Sequence, residues 1–430
     1  MNIVLLNHYA GSPQHGMEYR PYYLARQWTG QGHSVTIVAA SASHVRRTAP
    51  AMGDTDIQEE WIDGIRYLWV RTPSYEGNGG RRAANIGAFV ARVRRAAGRI
   101  AALAQPDVVI ASSTYPLDIV PAEAIARHAS AGLVYEVHDL WPLSPIELGG
   151  MSPRHPFIRV MQWAEDRAYR IADRVVSLLP NTLSHMVSRG MSPHKFAYVP
   201  NGVDVDEWKG PTAAPPPEHA ATLAALRAAG QLIVGYAGSH GVANALDTML
   251  DAAALLRDEA VQLVLVGHGP EKGALVERAR AEGLSNVTFL DPVAKRAVPA
   301  LLAQFDVACL TLQRQPLFRF GVSPNKLFDY MMAGRPVLQA IDAGNDPVTE
   351  AACGISVAGE SARALADAVR RFAAMSSAER EAMGAAGHRY VLEHHTYPVL
   401  ASRFLDVLRQ AARGRTRDGA AGRSHATRAA

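Results

Sequence analysis

Residues 323–337 read Ser-Pro-Asn-Lys-Leu-Phe-Asp-Tyr-Met-Met-Ala-Gly-Arg-Pro-Val. The stretch predicts a loop, a short helix and, after Gly334, a strand. A helix N-terminus offers unpaired N–H groups and a partial positive charge that suit phosphate, and Lys326 adds a full charge in the first turn. Asp329 lies one turn further on the same face, where its carboxylate can accept hydrogen bonds from ribose hydroxyls. Taken alone, the stretch fits a solvated Lys–Asp helix pair better than a nucleotide site.

Apolar runs alternate with helical patterns on both sides of this stretch. The runs are continuous, which is typical of strands buried on both faces of a parallel sheet. A first set covers residues 3–6, 35–38, 108–110, 133–137 and 175–179, and a second set covers 232–236, 262–266, 287–290, 307–310 and 336–339. The pattern predicts βαβ units throughout and therefore an α/β protein.

The length of 430 residues exceeds what one hydrophobic core accommodates, so two domains are expected around a central cleft. We predict Rossmann-like domains with parallel sheets in residues 1–205 and 231–395. The Pro-rich stretch 210–217 predicts a linker, placed at 206–230. A last helix in 396–412 is expected to pack back on the first domain, and 413–430 is expected to be disordered.

The net charge of +4 comes from the C-terminal tail. The last twenty residues carry five arginines and one aspartate, which leaves the rest of the chain formally neutral. The tail is predicted to contact an anionic membrane surface, and a solvated tail is an equal alternative. Basic-aromatic patches typical of nucleic-acid binding are absent from the sequence, so no nucleic-acid partner is expected.

The sequence gives no sign of a secreted or metal-dependent protein. Two cysteines cannot form a disulfide framework, no signal peptide or bilayer-spanning run is recognisable, and a reducing cytoplasm is expected. Asp-x-Asp pairs at 54–56 and 204–206 have a spacing that can hold Mg²⁺, but we predict solvated loop acids and no metal. The glycines at 267 and 269 form a partial dinucleotide fingerprint, which disfavours a nicotinamide enzyme.

The string Val-Pro-Asn-Gly-Val-Asp at residues 199–204 links these observations to a family. The chain resembles the retaining GT-B glycosyltransferases of family 4. The resemblance rests on this string together with the glycine turn at 266–270, the first loop and helix at 16–35, and the segment 331–337. The resemblance extends from residue 1 to about 410. It is strongest to a bacterial branch with Ser-Pro-Asn-Lys-Leu-Phe-Asp-Tyr-Met that includes N-acetylfucosamine transferases of surface-polysaccharide assembly.

The chain departs from the family pattern at two places. Many members have two glutamates eight positions apart, where this chain has Gly321 and Asp329. Many also have an Arg and a Lys after the first strand of the second domain, and the matching segment 238–244 has neither. Lys326 and Arg319 are expected to supply the missing charge.

The resemblance implies a set of site residues. His138, which ends a predicted strand, would contact the donor sugar, and Asp139 would orient it or contact the acceptor. Arg81 and Arg82 are predicted to hold an anionic acceptor, with a solvated basic pair as the slightly favoured alternative. The glycine-containing loops 9–16 and 75–82 are expected to be mobile. The catalytic set is His138, Lys326 and Asp329; the donor set is Gly16, Gly238, Ser239, His240, Asn244, Gly267, Val293, Arg319, Ser323, Asn325 and Leu327.

The family's activity then becomes the expectation for this chain. A sugar, N-acetylated in the branch resembled, would pass from a UDP-sugar to a lipid-linked or glycan acceptor of O-antigen or exopolysaccharide type. The enzyme would need no cofactor and would act in the cytoplasm at the inner face of the plasma membrane. A sugar-nucleotide epimerase of the same fold and a catalytically silent sugar-nucleotide binder are the alternatives.

Overall fold

The structure is a computed structural model that describes residues 1–77, 79–210 and 213–426, with side chains described as far as Arg413. It divides into two compact units. Met1–Pro200 and the segment that begins at Tyr397 form the first unit, and Asn201–Thr396 forms the second. The first unit thus ends at Pro200 rather than at residue 205, the boundary predicted from the sequence.

The first unit alternates strands and helices from its N-terminus. Its strands are β1 (Asn2–Leu6), β2 (Ser34–Ala40), β3 (Ile57–Ile62), β4 (Ile65–Val70), β5 (Val108–Ala111), β6 (Gly132–Val137), β7 (Arg174–Ser177) and β8 (Phe196–Tyr198). Its helices before residue 200 are α1 (Arg20–Gly30), α2 (Gly80–Arg95), α3 (Ala97–Ala104), α4 (Ile119–Ala129), α5 (Leu143–Glu147), α6 (Pro156–Ile171) and α7 (Leu183–Ser188).

Across the residues described, these strands form one sheet in the order β3-β4-β2-β1-β5-β6-β7-β8. All neighbours are parallel except β3 and β4, which form an antiparallel hairpin at one edge. The sequence reading missed this hairpin. The outer strand, β3, mixes exposed and partly buried side chains and carries Glu59 and Glu60. It therefore lacks the continuous apolar run that is typical of the central strands. Strand β8 was missed because it has three residues, all half-buried.

The second unit has the same alternation. Its strands are β9 (Leu232–Ala237), β10 (Val261–Val266), β11 (Val287–Leu290), β12 (Val307–Thr311), β13 (Val337–Ala340) and β14 (Gly354–Val357). Its helices are α8 (Asp206–Lys209), α9 (Pro217–Ala228), α10 (Leu246–Leu255), α11 (Lys272–Ala281), α12 (Val298–Leu302), α13 (Asn325–Met332), α14 (Pro347–Glu350), α15 (Ala362–Ala374) and α16 (Ser377–His394).

In the described part of this unit the strands form a parallel sheet in the order β11-β10-β9-β12-β13-β14. Strand β9 therefore lies near the middle, and its carboxyl end faces the same edge as that of β10. The predicted α/β architecture of two largely parallel sheets is confirmed.

The predicted linker, residues 206–230, is not an unstructured connection. It contains α8 and α9, and the side chains of His219 and Leu223 on α9 are buried. Pro217 stands at the first position of α9, where proline favours a helix because its missing N–H would be unpaired anyway. Residues 211 and 212 of the predicted linker lie outside the described residues.

The last helix, α17 (Tyr397–Ala426), contributes to the core of the first unit. Trp28 on α1 packs edge-on against Phe404, with 5.5 Å between ring centroids, and its Nε1 donates to the carbonyl of Ala401 at 3.0 Å. The helix continues beyond residue 412, its predicted end. The predicted disordered tail falls partly on residues 414–426, described by their backbone alone, and partly on 427–430, which lie outside the described residues.

None of the helices in the described ranges combines the length and apolar character that crossing a membrane requires.

Replacing Phe404 by Ala should destabilise the first unit by about 3–5 kcal/mol, because it removes a fully buried aromatic ring from the core. Denaturant unfolding, followed by the fluorescence change as Trp28 becomes exposed, measures the effect. Arg403→Ala on the exposed face of the same helix is the control and should change stability by less than about 0.5 kcal/mol. Equal unfolding midpoints for the two variants would contradict the packing of α17 in this core.

Candidate functional site

In the second unit, several predicted donor residues meet where β9 and β10 end and α13 begins. Lys326, in the first turn of α13, donates from Nζ to Oδ1 of Asn244 at 2.9 Å. The same ammonium lies 5.3 Å from the ring centroid of Tyr236. Asn244 in turn donates to the carbonyl of Ser239 at 3.0 Å. The structure therefore brings Lys326, Asn244 and the segment after β9 into one cluster, which we call the lysine cluster.

The ammonium of Lys326 is largely removed from water. Burial lowers the pKa of Lys326 to about 8, against the opposing effect of Asp329. At neutral pH the group is still mostly charged, and one amide oxygen and an aromatic face supply little compensating negative charge. A desolvated cation of this kind gains strongly from an anionic ligand.

Two glycines make this close packing geometrically possible. A Cβ at Gly238 would lie 2.1 Å from Cε of Lys326, and a Cβ at Gly267 would lie 1.8 Å from the carbonyl oxygen of Gly238. Gly267 also has a φ of +152°, which disfavours other residues. The backbone of the segment after β9 can therefore approach both the lysine and β10 closely.

The start of α13 adds backbone donors beside Lys326. Within the described residues, the amides of Asn325 and Lys326 have no hydrogen-bond acceptor, as expected for the first turn of a helix. The preceding loop is fixed by the Val-Pro-Asn-Gly motif. The backbone N–H of Asn201 donates to Oγ of Ser323 at 2.9 Å, and its side-chain amide donates to the carbonyl of Ser323 at 3.0 Å.

Asp329 lies one turn further along α13, half-buried. Burial raises the pKa of Asp329 to about 7, although the nearby charge of Lys295 acts in the opposite direction. Its carboxylate forms no hydrogen bond within the part of the chain that the structure describes. The group is therefore poised to accept hydrogen bonds from a ligand.

Other predicted donor residues do not join the lysine cluster. Leu327 is fully buried in the core and its N–H donates to the carbonyl of Pro324, so neither group is available to a ligand. Val293 is half-buried against the same core. Arg319 is exposed, with its guanidinium over the ring of Phe320 and donating to the carbonyl of Pro316. The prediction that Arg319 supplies the missing charge gains no support from these contacts.

His240 is enclosed rather than open to a ligand. Its side chain is fully buried between Tyr236 and Phe289. Burial, together with the charges of Lys272 and His268, lowers the pKa of His240 to about 4. The imidazole is therefore neutral at physiological pH and adds no cation to the cluster. Its backbone is also engaged, since its N–H donates to the carbonyl of His268 and its carbonyl accepts from the N–H of Glu271, both at 3.0 Å.

In the first unit, His138 follows β6 and belongs to a buried polar network. Its Nε2 lies 3.0 Å from Oγ of Ser112 and 3.4 Å from a carboxylate oxygen of Glu136. Ser112 donates to Glu136 at 2.5 Å. Burial favours neutral His138, but the hydrogen bond and charge of Glu136 outweigh this and raise the pKa of His138 above its ordinary value.

The network depends on a residue that the sequence analysis missed. Arg20, at the start of α1, pairs with Glu136 at 2.9 Å, and both side chains are 1% exposed. The remaining donors of Arg20 reach the carbonyls of Pro200 and Val199 at 2.6 and 2.9 Å. The charges of Arg20 and His138 overcome the burial of Glu136 and lower its pKa to about 2. A glutamate inside a continuous apolar strand is the one sequence signal of this network.

The residues predicted to bind the acceptor have unequal environments. Arg82 donates from Nε to the hydroxyl of Tyr9 at 3.2 Å and lies over its ring, so it is anchored rather than mobile. Arg81 and Asp139 are exposed. Both arginines lie on α2, which begins at Gly80; Asn78 of the predicted mobile loop lies outside the described residues.

The loop 9–16 is packed and hydrogen-bonded, contrary to the mobility expected from its glycines. Ser12 and Gly16 pair through both backbone groups, and Tyr67 donates to the carbonyl of Gly11 at 2.9 Å. A Cβ at Gly11 would lie 1.8 Å from the carbonyl oxygen of Gly16, and Gly16 has a φ of +98°. The glycines permit a tight turn here.

The Asp-x-Asp pairs differ from each other in burial. Asp54, Asp56 and Asp206 are exposed, but Asp204 is 3% exposed and accepts from the N–H of Asp206 at 3.3 Å. Asp204 is therefore buried, and the prediction of a solvated acid at this position is wrong. No group of three or more His, Cys, Asp or Glu residues in the described ranges has a metal-binding arrangement.

Two family models match the chain, one for each unit. Residues 15–202 match a glycosyl transferase 4-like domain, and residues 231–374 match the glycosyl transferases group 1. Together the matches cover well over half of the chain. The chain belongs to the family 4 glycosyltransferases.

A curated relative of this family is a putative colanic acid biosynthesis glycosyl transferase, WcaI, of Escherichia coli strain K12. It is 25% identical over 169 residues, an alignment that covers 38% of this chain and 39% of the relative.

Solved structures of similar fold cover almost the whole chain. A sucrose-phosphate synthase of Thermosynechococcus elongatus has a TM-score of 0.68 at 17% identity and covers 95% of this chain and 98% of its own. HepE of Anabaena, in complex with UDP and glucose, has a TM-score of 0.63 at 18% identity. The match covers 95% of this chain and 99% of the HepE chain. These neighbours confirm the predicted GT-B fold class.

The network around His138 predicts a measurable titration. His138 should titrate above the ordinary histidine value of about 6.5, since Glu136 stabilises the imidazolium. Nitrogen NMR of labelled histidines measures this value, and Glu136→Gln should lower it. Because the folded-state pKa is raised, the stabilisation is fully present below about pH 6.5 and is lost as pH rises through the pKa of His138.

His33 is the internal control for this titration. Burial and the N-terminal ammonium lower the pKa of His33, so the two histidines should titrate on opposite sides of the ordinary value. A pKa of His138 at or below that of His33 would contradict the network in the folded wild-type protein.

Proposed function

We propose that this chain transfers a sugar from a UDP-sugar to a lipid-linked or glycan acceptor in the assembly of a cell-surface polysaccharide. The observation that carries the proposal is the desolvated ammonium of Lys326 beside two glycines and the free amides at the start of α13. A diphosphate provides the negative charge that this cluster lacks. HepE, a neighbour in fold, binds UDP and glucose, which supports a nucleotide-sugar donor.

The proposed role of the lysine cluster is electrostatic. As the bond between the anomeric carbon and the diphosphate oxygen breaks, negative charge grows on the leaving diphosphate. A preorganised cation and aligned N–H groups in a poorly solvated site stabilise that charge more in the transition state than in the ground state. Lys326 would supply the cation that the segment 238–244 does not provide.

The proposed transfer retains the anomeric configuration, as the family resemblance implies. The acceptor hydroxyl oxygen would bond to the anomeric carbon, and its proton would pass to the departing diphosphate. In this scheme His138 contacts the donor sugar, and its hydrogen bonds to Ser112 and Glu136 fix its ring. No metal participates. An N-acetylated donor, as in the branch that the sequence resembles, is part of the same proposal.

A catalytically silent nucleotide binder is the second candidate, because the segment after β9 lacks the two cations common in the family. Incubation of the protein with a panel of UDP-sugars and lipid-linked acceptor extracts, followed by mass spectrometry, separates the candidates. A mass increase of the acceptor supports transfer. UDP binding without transfer or hydrolysis supports the silent binder, and interconversion of the sugar without acceptor indicates an epimerase.

Lys326→Met should lower kcat/KM by one to two orders of magnitude, since a charge-assisted phosphate contact contributes about 1.5–3 kcal/mol. Steady-state kinetics with the donor identified by the panel measures the change. Lys209→Met, at an exposed lysine of α8, is the matched control and should leave kcat/KM unchanged. A folded Lys326→Met variant within twofold of wild type would exclude the phosphate role.

Asp329→Asn should weaken UDP binding but leave pyrophosphate binding unchanged, because the proposed contact is with the ribose hydroxyls. Replacing the carboxylate removes a charged acceptor, a contact worth about 1.5–3 kcal/mol, so the Kd for UDP should rise at least tenfold. Calorimetry with both ligands measures this. If both affinities fall equally, Asp329 acts through the shape of α13 and not through the ribose.

A further inference from the structure

Helix α6 in the first unit presents an apolar and basic face to solvent. Its inner face is buried through Ile158, Met161, Ala164 and Ala168. On the opposite side, Val160 is 47% exposed and Trp163 is 49% exposed. Val160 and Trp163 are three positions apart and are therefore neighbours on the same exposed helix face.

Two grooves meet at Trp163. One, of about 510 Å³, extends toward α4 and the end of α2, where its lining includes Arg94, His128 and Arg167. The other, of about 410 Å³, extends toward the start of α6 and is lined by Arg154, Arg159 and Val160. We call the surface formed by these two grooves and Trp163 the α6 face.

The α6 face is strongly basic. The guanidinium groups of Arg94, Arg154 and Arg159 are exposed and form no ion pair within the described residues. The acidic residue that lines the grooves, Glu123, is already paired with Arg127 and Arg167. Positive charge is therefore left over around the exposed tryptophan.

We propose that the α6 face docks on the surface of an anionic phospholipid bilayer. Trp163 and Val160 would enter the boundary between headgroups and acyl chains, where the amphipathic indole ring is favoured. Arg94, Arg154 and Arg159 would contact lipid phosphates, and each cation near an anionic surface strengthens binding. The docking site lies on the folded first unit and contains none of the residues of the basic C-terminal tail.

A second exposed tryptophan shows that exposure alone does not define such a site. Trp61 on β3 is 58% exposed, but its Nε1 donates to Glu59 at 2.8 Å. The cation over its ring, Arg66, pairs with the same glutamate at 3.5 Å. With Glu60 also on this strand, the surroundings of Trp61 carry no excess of positive charge. Charge complementarity to an anionic bilayer is therefore found at Trp163 and not at Trp61.

A second copy of this chain is a poorer occupant for the same reason. A two-fold dimer through the α6 face would place each copy's Arg154 and Arg159 against the same patch of its partner. Such like-charge contacts oppose association. A bilayer with anionic headgroups satisfies both the exposed aromatic ring and the unpaired guanidinium groups.

Flotation of the full chain with vesicles tests the proposal without any donor or acceptor sugar, so it is independent of the proposed transfer reaction. Wild type should bind vesicles of phosphatidylglycerol and phosphatidylethanolamine and should bind pure phosphatidylcholine at least tenfold more weakly. Trp163→Ser should reduce partition on the anionic vesicles about tenfold, and the double variant Arg154→Glu/Arg159→Glu should reduce it further.

Matched controls separate the α6 face from general charge and hydrophobicity. Trp61→Ser and the double variant Arg363→Glu/Arg389→Glu, at exposed arginines of the second unit, should bind as wild type does. A full-length variant with Arg415, Arg417, Arg423 and Arg428 changed to Gln should also retain most binding. Thermal denaturation verifies that each variant is folded.

Two results would overturn the proposal. The first is that the Trp163→Ser and Arg154→Glu/Arg159→Glu variants bind anionic vesicles as strongly as wild type does. The contradiction would be strongest if the variant with four tail arginines changed to Gln loses binding. The second is concentration-dependent dimerisation of wild type, measured by sedimentation without lipid, that Trp163→Ser abolishes while vesicle binding stays unchanged. That second result would assign the face to a second copy of this chain.

Discussion

The buried ion pair between Arg20 and Glu136 holds together the polar part of the first unit. Two charges that are almost wholly removed from water are tolerated only when both are paired and hydrogen-bonded. Arg20 meets this requirement by also donating to the carbonyls of Val199 and Pro200, and Glu136 by accepting from Ser112. The start of α1, the end of β6 and the point where the chain leaves the unit are thereby fixed relative to one another. The position of His138 follows from that constraint.

In the second unit, a poorly solvated charge is held in place by the close approach of backbone segments. Gly238 and Gly267 leave no space for side chains, and the aliphatic stem of Lys326 fills the space beside them. The positive charge is consequently held by one amide oxygen and one aromatic ring, in a place where water cannot solvate it well. Within the described residues, no carboxylate forms an ion pair with this ammonium, which is typical of groups whose partner is a ligand.

Local patterns predicted much of the fold but only part of the candidate site. Continuous apolar runs identified the central strands because burial on both faces leaves no other pattern. The β3–β4 hairpin escaped because Glu59 and Glu60 lie on an edge strand. The Pro-rich composition of 210–217 predicted a linker but did not reveal that Pro217 begins a helix. Leu327 was predicted to bind the donor, but its side chain lies in the core and its N–H already donates to the carbonyl of Pro324. No local pattern could reveal Arg20, whose partner is 116 positions away.

The packing of α17 also determines the order in which the protein can fold during synthesis. The contact between Trp28 and Ala401 joins residues 373 positions apart, and the whole second unit lies between them in the chain. The core that contains the N-terminus therefore cannot be completed until the last helix has left the ribosome. The second unit, continuous in sequence, has no such requirement. The usual order, in which the N-terminal domain is finished first, is therefore not open to the first unit, whose core lacks Phe404 and its neighbours until α17 has been made.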